Sequence, residues 1–501
     1  MTGQNDRETT ENGSKDDLSN VASLQQPDES PRDLSDDTLA LQFAAEFHSN
    51  AQYTPTSRTW YVWDSTRWKR DETNAAHDHC RRMLRAIATR CFKAAYKKGY
   101  IDMEVPDETG RARARRRDAV KAAAFKQVKP LKSKRTMDAV LQMSCTDPRI
   151  TTAPDKWDGE ESKYLLNTPL GTLELKTGTL RPARQGDRIT KLARVGPGNM
   201  PTPTWDRFLL EATDGNLAMI SYLQRVFGYC MTGDTSEQTL FFCHGPTGTG
   251  KSVLTNAISY VLGDYRYDTS EGTFSEKSMD RHTQDIARLV NARFVTAQET
   301  EANSKWNEAR IKRLTGQDKI TARLMRQNDF EYTPQMKIFI VGNHKPQLSS
   351  MDDAVKRRFN IIPLRTQPKH INKQLGWELE QEASGIMAWM LKGCLQWQEI
   401  GLQRPPIVEE YTERYLYEED SISQWVEDRC ILSPIGWAQV GELYHDWRRW
   451  AAANDIIPGT KGAFSEYLES RTERYKLIRK RKAKGPGFAG IALVSKSEGT
   501  S

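Results

Sequence analysis

Apolar positions along this chain recur with the periods of buried strands and helices. The apolar run at 239–243 is short and precedes a cluster of glycines, as expected for a buried parallel strand. Apolar residues then recur at helical spacing over 253–262, which predicts a helix ending at Gly263. Two more apolar runs, at 294–297 and 337–343, predict further core strands.

Weaker patterns predict helices and short strands before and after this core. An aromatic strand pair surrounds a turn at 64–65, and a long helix is expected over 77–96. Residues 164–184 predict short strands joined by glycine turns, and a helical stretch with a break near Gly215 leads into the core. Residues 371–400 also have a helical pattern.

The C-terminal part combines two helical patterns, 436–454 and 460–472, with a basic strand pair around 485–487. Helix, helix and basic hairpin is the order typical of a winged helix. Clusters of Pro and Gly at 196–205 and 403–406 mark linkers. The predicted domains are a disordered acidic tail (1–38), an N-terminal region (39–200), a nucleotide-binding domain (201–370), a helical connector (371–410) and a winged-helix domain (411–501).

Composition narrows the class of protein. The chain has 501 residues, 28% of them charged, and a net charge of +7. The first 38 residues are acidic, so the remainder is more basic than the total suggests, which favours a polyanionic partner. Seven scattered cysteines contain no Cys-x-x-Cys pair, and no apolar run is long enough to span a bilayer. We expect a cytoplasmic protein with no membrane partner.

The residues after the first strand are suited to binding phosphate. Glycines allow a tight turn whose N–H groups point at phosphate oxygens, and the next helix directs its positive end to the same place. Lys251 can reach the β and γ phosphates, and the Ser252 hydroxyl can hold Mg²⁺. We predict that ATP and Mg²⁺ bind at Gly245, Pro246, Thr247, Gly248, Thr249, Gly250, Lys251 and Ser252.

Polar residues follow the next two core strands. Glu299 and Glu301 come after the strand at 294–297, where a carboxylate can order Mg²⁺ and polarise the attacking water. Asn343 ends the strand at 337–343 and can orient that water, although Asn is also common in turns. The alternative for each acid is an ordinary surface residue, and a functional role is favoured for Glu299.

Cations stand at three further places. Arg357 and Arg358 precede an apolar strand and could stabilise the transferred phosphoryl group from a neighbouring subunit, or pair with Asp352 or Asp353. A hairpin between the second and third core strands would carry Arg326 at its tip, where it could touch single-stranded DNA. The very basic stretch 111–135 predicts either a solvated helix face or a nucleic-acid contact.

The order of these motifs resembles the phage and plasmid primase-helicase family, whose superfamily 3 helicase domain is shared with the poxvirus primase-helicase. The resemblance rests on "GPTGTGKS", "ARFVTAQETE", "KRLTGQDKITAR", "IFIVGNHKP" and "DDAVKRRFNIIPL", and upstream on "LNTPLGTLELKTGTLRP". It implies an α/β fold with an AAA+-like, superfamily 3 P-loop ATPase core, an α+β N-terminal region and a C-terminal winged helix.

The resemblance also implies roles for individual residues. Lys251 and Ser252 would hold phosphate and Mg²⁺, Glu299 would be the acid beside the metal, and Asn343 the sensor. Arg358 is favoured over Arg357 as the finger because it directly precedes the apolar strand. DNA contacts are expected at Arg326, Lys312, Arg479, Lys480, Arg481 and Lys482.

The sequence therefore predicts a ring-forming, ATP-driven DNA helicase of phage or plasmid replication. The resemblance implies a hexameric ring, with single-stranded and forked DNA and other replication proteins as partners. A DNA-stimulated ATPase that acts as an origin-binding initiator, loader or packaging motor is the alternative. Primer synthesis is not expected, because no convincing pair of catalytic carboxylates for nucleotidyl transfer is found. Ring size, polarity, origin and the division of roles between Glu299 and Glu301 stay open.

Overall fold

A computed structural model describes the protein over residues 33–494, apart from 102, 104–107, 276–281, 299–304, 324–328, 345–347, 349–352, 419–420, 455, 457, 471 and 483–484. The chain divides into two compact units. Unit 1 comprises Met1–Asp64 and Trp68–Lys156, and unit 2 comprises Ser65–Arg67 and Trp157–Ser501. No helix in these described ranges is long and apolar enough to cross a membrane.

Unit 1 packs four helices with a three-stranded antiparallel sheet of order β1-β2-β3. Its core is formed by apolar side chains of α1, α2 and α4, including Phe43, Leu84 and Leu141. The elements are α1 (Asp36–Phe47), β1 (Ala51–Thr54), β2 (Thr59–Trp63), β3 (Trp68–Arg70), α2 (Ala75–Tyr96), α3 (Gly110–Val128) and α4 (Lys134–Ser144).

Helix α1 begins inside the predicted disordered tail, which corrects that boundary. The Ser35 side chain accepts a hydrogen bond from the Thr38 N–H, and Asp36 and Asp37 lie in the first turn. Serine is a favoured N-cap, and acidic residues stabilise the positive end of a helix, so the helix starts three residues before the predicted Leu39. Residues 1–32 of the predicted tail lie outside the described residues.

Unit 2 opens with a small antiparallel sheet and two helices, as the patterns at 164–184 and around Gly215 predicted. Its sheet has the order β4-β5-β6. The elements are β4 (Leu165–Thr168), β5 (Gly171–Glu174), β6 (Thr179–Arg181), α5 (Pro203–Ala212) and α6 (Leu217–Cys230).

The centre of unit 2 is a five-stranded parallel sheet of order β13-β7-β12-β9-β8. Every residue of the central strand β12 is buried, and so are all but the last residues of β7 and β9, as expected for a parallel sheet with both faces covered. The elements are β7 (Leu240–His244), α7 (Lys251–Leu262), β8 (Arg266–Ser270), α8 (His282–Arg288), β9 (Phe294–Gln298), α9 (Glu308–Thr315), β10 (Ile320–Arg323), β11 (Asp329–Tyr332), β12 (Lys337–Gly342), α10 (Asp353–Lys356) and β13 (Phe359–Pro363).

Two helices, α11 (Leu375–Gln381) and α12 (Ala383–Ile400), follow the sheet. The contact between α12 and α6 is made through glycines. A methyl group on Gly228 would lie 2.1 Å from the Cys394 nitrogen, and one on Gly393 would lie 1.9 Å from the Gln224 oxygen. The two helix backbones therefore touch, because only glycine leaves room for so close an approach.

The C-terminal segment forms a three-stranded antiparallel sheet, of order β14-β16-β15, packed with helices. The predicted hairpin is present as β15 and β16. The predicted helix 436–454 starts later, because residues 436–439 complete a strand that bulges at Leu432/Trp437, around Pro434. The elements are α13 (Pro406–Glu418), α14 (Ser421–Arg429), β14 (Cys430–Gln439), α15 (Val440–Ala453), α16 (Lys461–Ser470), α17 (Thr472–Tyr475), β15 (Ile478–Lys482) and β16 (Gly485–Leu493).

Candidate nucleotide site

A glycine loop, residues 245–250, joins the carboxyl end of β7 to the start of α7. Gly248 and Gly250 have φ angles of +85° and +86°, a backbone conformation that side chains with a Cβ rarely adopt. Gly250 also lies directly before the first turn of α7, so the free N–H groups of that turn face the loop. Such a helix start is an anion-binding site in itself.

Position 245 requires glycine because the backbone at the end of β13 lies very close to it. A methyl group at this position would lie 1.7 Å from the Leu364 backbone oxygen. Leu364 directly follows β13, and its N–H donates to the His244 oxygen at 2.9 Å. The glycine loop is therefore held against the end of β13 by backbone contacts that leave no space for a side chain.

We expect Gly245→Ala to lower the free energy of unfolding by at least about 2 kcal/mol, because backbone on both sides of the new methyl group must move. Gly376→Ala is the matched control: it lies in α11, and its methyl group would meet nothing within 4 Å. Chemical unfolding of both variants checks this. Equal unfolding midpoints would contradict the packing described for the loop.

Lys251 is buried, and its ammonium group is held at the glycine loop. Its Nζ donates to the backbone oxygens of Gly245 and Pro246, each at 2.7 Å. Burial lowers the pKa of the Lys251 ammonium from its ordinary value. The lysine is thus already positioned over the loop, and its partners among the described residues are backbone oxygens.

The glycine loop forms one wall of a cavity of about 850 Å³. Because β7, β12 and β9 are parallel and in register, their carboxyl ends meet at this edge of the sheet. Residues at those ends therefore line the cavity together: Thr247 to Val253 from the loop and α7, Gln298 from β9, and Asn343 after β12. A cavity of this size is suited to a ligand as large as a nucleotide.

Another part of the cavity wall consists of residues that sequence patterns do not reveal. Arg207, Phe208 and Glu211 come from α5, and His370 and Ile371 come from the segment after β13. Ile371 is 85% exposed, so an apolar side chain stands open at the cavity. Aromatic, apolar and charged groups side by side are suited to binding a nucleotide base by its ring face and its polar edge.

Two hydrogen-bonded contacts fix this wall. The Gln367 side-chain amide donates to the Thr247 oxygen at 2.8 Å, which joins the segment after β13 to the glycine loop. The Glu382 carboxylate accepts from the N–H groups of Thr204 and Trp205 at 2.9 and 2.8 Å, and so caps the start of α5. No local sequence signal predicts these pairs, because their partners are more than a hundred residues apart.

The two finger candidates differ sharply in their surroundings. Arg358 is only 7% exposed. Its guanidinium donates to the Thr315 hydroxyl at 3.2 Å, the Ala354 oxygen at 2.6 Å and the Gln238 side chain at 3.2 Å. Arg357 is exposed and donates only one described bond, to Gln238 at 3.2 Å. This arrangement favours Arg357 over Arg358 for contact with another subunit.

Neither arginine lies at the carboxyl ends of the strands, where the glycine loop begins. They precede β13, which runs parallel to β7 with Phe359 opposite Leu240 and Pro363 opposite His244. The five residues of β13 separate the arginines from the carboxyl ends of the strands, which corresponds to roughly 17 Å. A guanidinium at Arg357 therefore points away from the cavity of its own chain.

The remaining predicted residues fall in two groups. Glu299, Glu301 and Arg326 lie outside the described residues, as does Asp352, so their predicted roles stay predictions. The predicted DNA contacts that are described occupy α9 and β15. Lys312 is half-buried on α9, whereas every residue of β15 is exposed, including Arg479, Lys480, Arg481 and Lys482.

Comparison with known proteins finds two matching families. Residues 40–214 match the family described as "D5 N terminal like". Residues 243–358 match a "Family of unknown function (DUF5906)". The second match covers the glycine loop, Asn343 and both arginines.

Similar proteins come from viruses. "Putative helicase L207/L206" of Acanthamoeba polyphaga mimivirus is 24% identical over 346 residues, which are 63% of this chain and 36% of that protein. "Primase D5" of Fowlpox virus (strain NVSL) is 24% identical over 157 residues, 30% of this chain and 20% of that protein. The chain thus spans well under half of these relatives. The predicted resemblance to the primase-helicase family is confirmed by these matches.

Among solved structures, "The A form apo structure of NrS-1 C terminal region-CTR" is 12% identical and covers 60% of this chain and 78% of that chain. Its TM-score is 0.37, and a second apo structure of the same region gives 0.38.

Proposed function

We propose, from this kinship with primase-helicases and from the cavity, that the chain is an ATP-driven DNA helicase of replication with a superfamily 3 P-loop core. The observation that carries the proposal is the meeting of the glycine loop, Lys251 and Asn343 in one cavity. A phosphate chain on the glycine loop would be bound by N–H groups at the start of α7 and by an ammonium that is already positioned.

The residues around the phosphates then take distinct roles. Lys251 would exchange its bonds to the Gly245 and Pro246 oxygens for phosphate oxygens. The exposed Ser252 hydroxyl lines the cavity, as required of a Mg²⁺ ligand, since Mg²⁺ takes one or two protein oxygens beside those of phosphate. Mg²⁺ would neutralise charge on the phosphates. Glu299, which directly follows the cavity residue Gln298, would be the acid, and Asn343 would orient water.

Hydrolysis would require a neighbouring chain. The two arginines before β13 are roughly 17 Å from the glycine loop of their own chain, counted along five strand residues. An exposed Arg357 could instead approach the loop of the next subunit in a ring, as fingers do in other ring ATPases. We infer a homo-oligomeric ring, with the hexamer as the expected form, and Arg357 as the finger.

DNA would contact the chain at two places within unit 2. The first is the hairpin of β10 and β11, which pairs Ile320–Arg323 with Asp329–Tyr332 and has Arg326 at its predicted tip. The second is β15, where exposed cations follow one another and Lys482 lies 4.8 Å over the Trp437 ring. Cations with an aromatic ring suit a nucleic-acid backbone, so we propose that the C-terminal segment acts as a winged helix.

A strand-displacement assay on a forked duplex, with ATP and Mg²⁺, tests the proposal. Released single strand that requires ATP, and that Lys251→Ala abolishes, is the expected result. DNA-stimulated hydrolysis without released strand would contradict unwinding and favour the alternative, an origin-binding initiator, loader or packaging motor. Absence of both hydrolysis and release would overturn the ATPase assignment itself.

A further inference from the structure

Helix α3 of unit 1 carries a concentration of positive charge that the proposed motor does not use. Residues 110–135 contain eleven Lys and Arg and one acid, Asp118, whereas the whole chain has a net charge of +7. The rest of the chain is therefore slightly acidic, and this one segment accounts for its basic character. The feature lies outside the cavity and outside the C-terminal segment.

Helix α3 is a rod that packs beside α2 and leaves most of its own surface exposed. Only Ala124 and Val128 of its nineteen residues are buried. A helix that buries so little against its own unit gains little from packing, and like charges four residues apart, such as Arg111 and Arg115, destabilise it further. A polyanion lying along the helix would remove that repulsion.

Four exposed cations share one face of this rod. At 100° per residue, Arg111, Arg115, Lys126 and Lys129 fall within an arc of about 60°, and they extend over about 27 Å. Ala122 is exposed on the same face between them, so no bulky side chain interrupts it. Within the described part of the chain, no acid is found within ion-pair distance of these four cations.

The acidic side chains near the helix pair with cations that do not belong to this face. Glu108 pairs with Arg116 at 3.0 Å and with Arg113 at 3.8 Å. Asp118 pairs with Arg117 at 3.2 Å. Arg116 also stacks 4.8 Å from the Tyr100 ring. The contacts of Arg116 fix one flank of the helix to unit 1, whereas Asp118 lies about 20° beyond Arg111, at the border of the four-cation face.

We propose that this face of α3 binds the phosphate backbone of double-stranded DNA. A convex cationic rod fits a duplex, whose phosphates lie in two parallel rows, better than a single strand, which binds in grooves with stacking aromatics. The site is separate from the nucleotide cavity, and the inference holds whether or not the chain hydrolyses ATP. It gives unit 1 a function of its own, holding the duplex.

The test uses the full chain without nucleotide and a blunt duplex of about 30 base pairs, at salt concentrations between about 50 and 200 mM. The variant replaces the four cations of this face: Arg111→Gln, Arg115→Gln, Lys126→Gln and Lys129→Gln. Glutamine keeps the helix propensity and removes only charge. The matched control removes four exposed cations elsewhere in unit 1: Lys69→Gln, Arg70→Gln, Arg85→Gln and Lys156→Gln.

We expect the slope of log K against log salt concentration to become shallower by about 2 to 4, because each lost phosphate contact removes about 0.9 from the slope. The Kd for the duplex should rise at least about tenfold. The control should bind as the unchanged chain does, and circular dichroism should be the same for all three. An unchanged slope, or an equal loss in the control, would overturn the proposal. So would a loss confined to single-stranded DNA.

Discussion

Replacing Lys251 by alanine should reduce ATP hydrolysis by at least about a hundredfold, the size of effect seen when one group that stabilises transition-state charge is removed. The buried ammonium contacts only the Gly245 and Pro246 oxygens in the described structure. Its removal therefore takes away no side-chain partner, and the thermal midpoint should change little. Steady-state phosphate release, together with thermal unfolding, measures both expectations.

Lys369→Ala is the matched control for that experiment. Lys369 is exposed and lies between the cavity residues Pro368 and His370 without lining the cavity itself. Its variant should hydrolyse ATP at the unchanged rate. Full turnover in Lys251→Ala would contradict a phosphate role for the loop. An unfolded Lys251→Ala would instead show that its two backbone bonds stabilise the glycine loop.

Mixing two inactive variants should restore part of the hydrolysis if Arg357 acts on a neighbouring subunit. Arg357→Ala alone should lose about a thousandfold or more in rate, as arginine fingers do. In rings mixed with Lys251→Ala, about a quarter of the interfaces combine an intact loop with an intact Arg357. Phosphate release at a series of mixing ratios, with mixed assembly verified, measures the recovery.

Arg358→Ala distinguishes a finger from a buried structural group. Its guanidinium bonds to Thr315, Ala354 and Gln238, and truncation would leave buried polar atoms without partners, at a cost of about 2 kcal/mol or more in unfolding free energy. Arg357→Ala, on the surface, should unfold at nearly the unchanged denaturant concentration. Loss of hydrolysis in Arg358→Ala alone, with recovery when that variant is mixed with Lys251→Ala, would reverse this assignment. No recovery with either arginine variant would indicate a role within one chain.

The sequence predicted the elements whose signals are local. The strand before the glycine loop and the helix after it were predicted because an apolar run, three glycines and a helical period follow one another directly. Strand β8 was missed. It is one of the two edge strands of the parallel sheet, and its residues alternate between exposed and half-buried, so it has no apolar run.

Features that depend on distant segments could not be predicted. Phe208 and His370 line one cavity although they are separated by more than 150 positions, and no pattern within either segment indicates the other. The difference in burial between Arg357 and Arg358 could not be predicted from the motif for the same reason. It depends on Thr315, on α9, which is a described partner of Arg358 but not of Arg357.

The glycine contact between α6 and α12 determines how this part of the protein unfolds. Glycine inside a helix costs about 1 kcal/mol relative to alanine, so Gly228 and Gly393 weaken each helix when it is alone. Together they allow the backbones to touch, and each helix then stabilises the other. The pair should form and open as one cooperative unit. Glu382, which caps α5, directly precedes α12. Through Glu382, the part of the cavity wall formed by α5 is connected to a helix pair that we expect to unfold as a single unit.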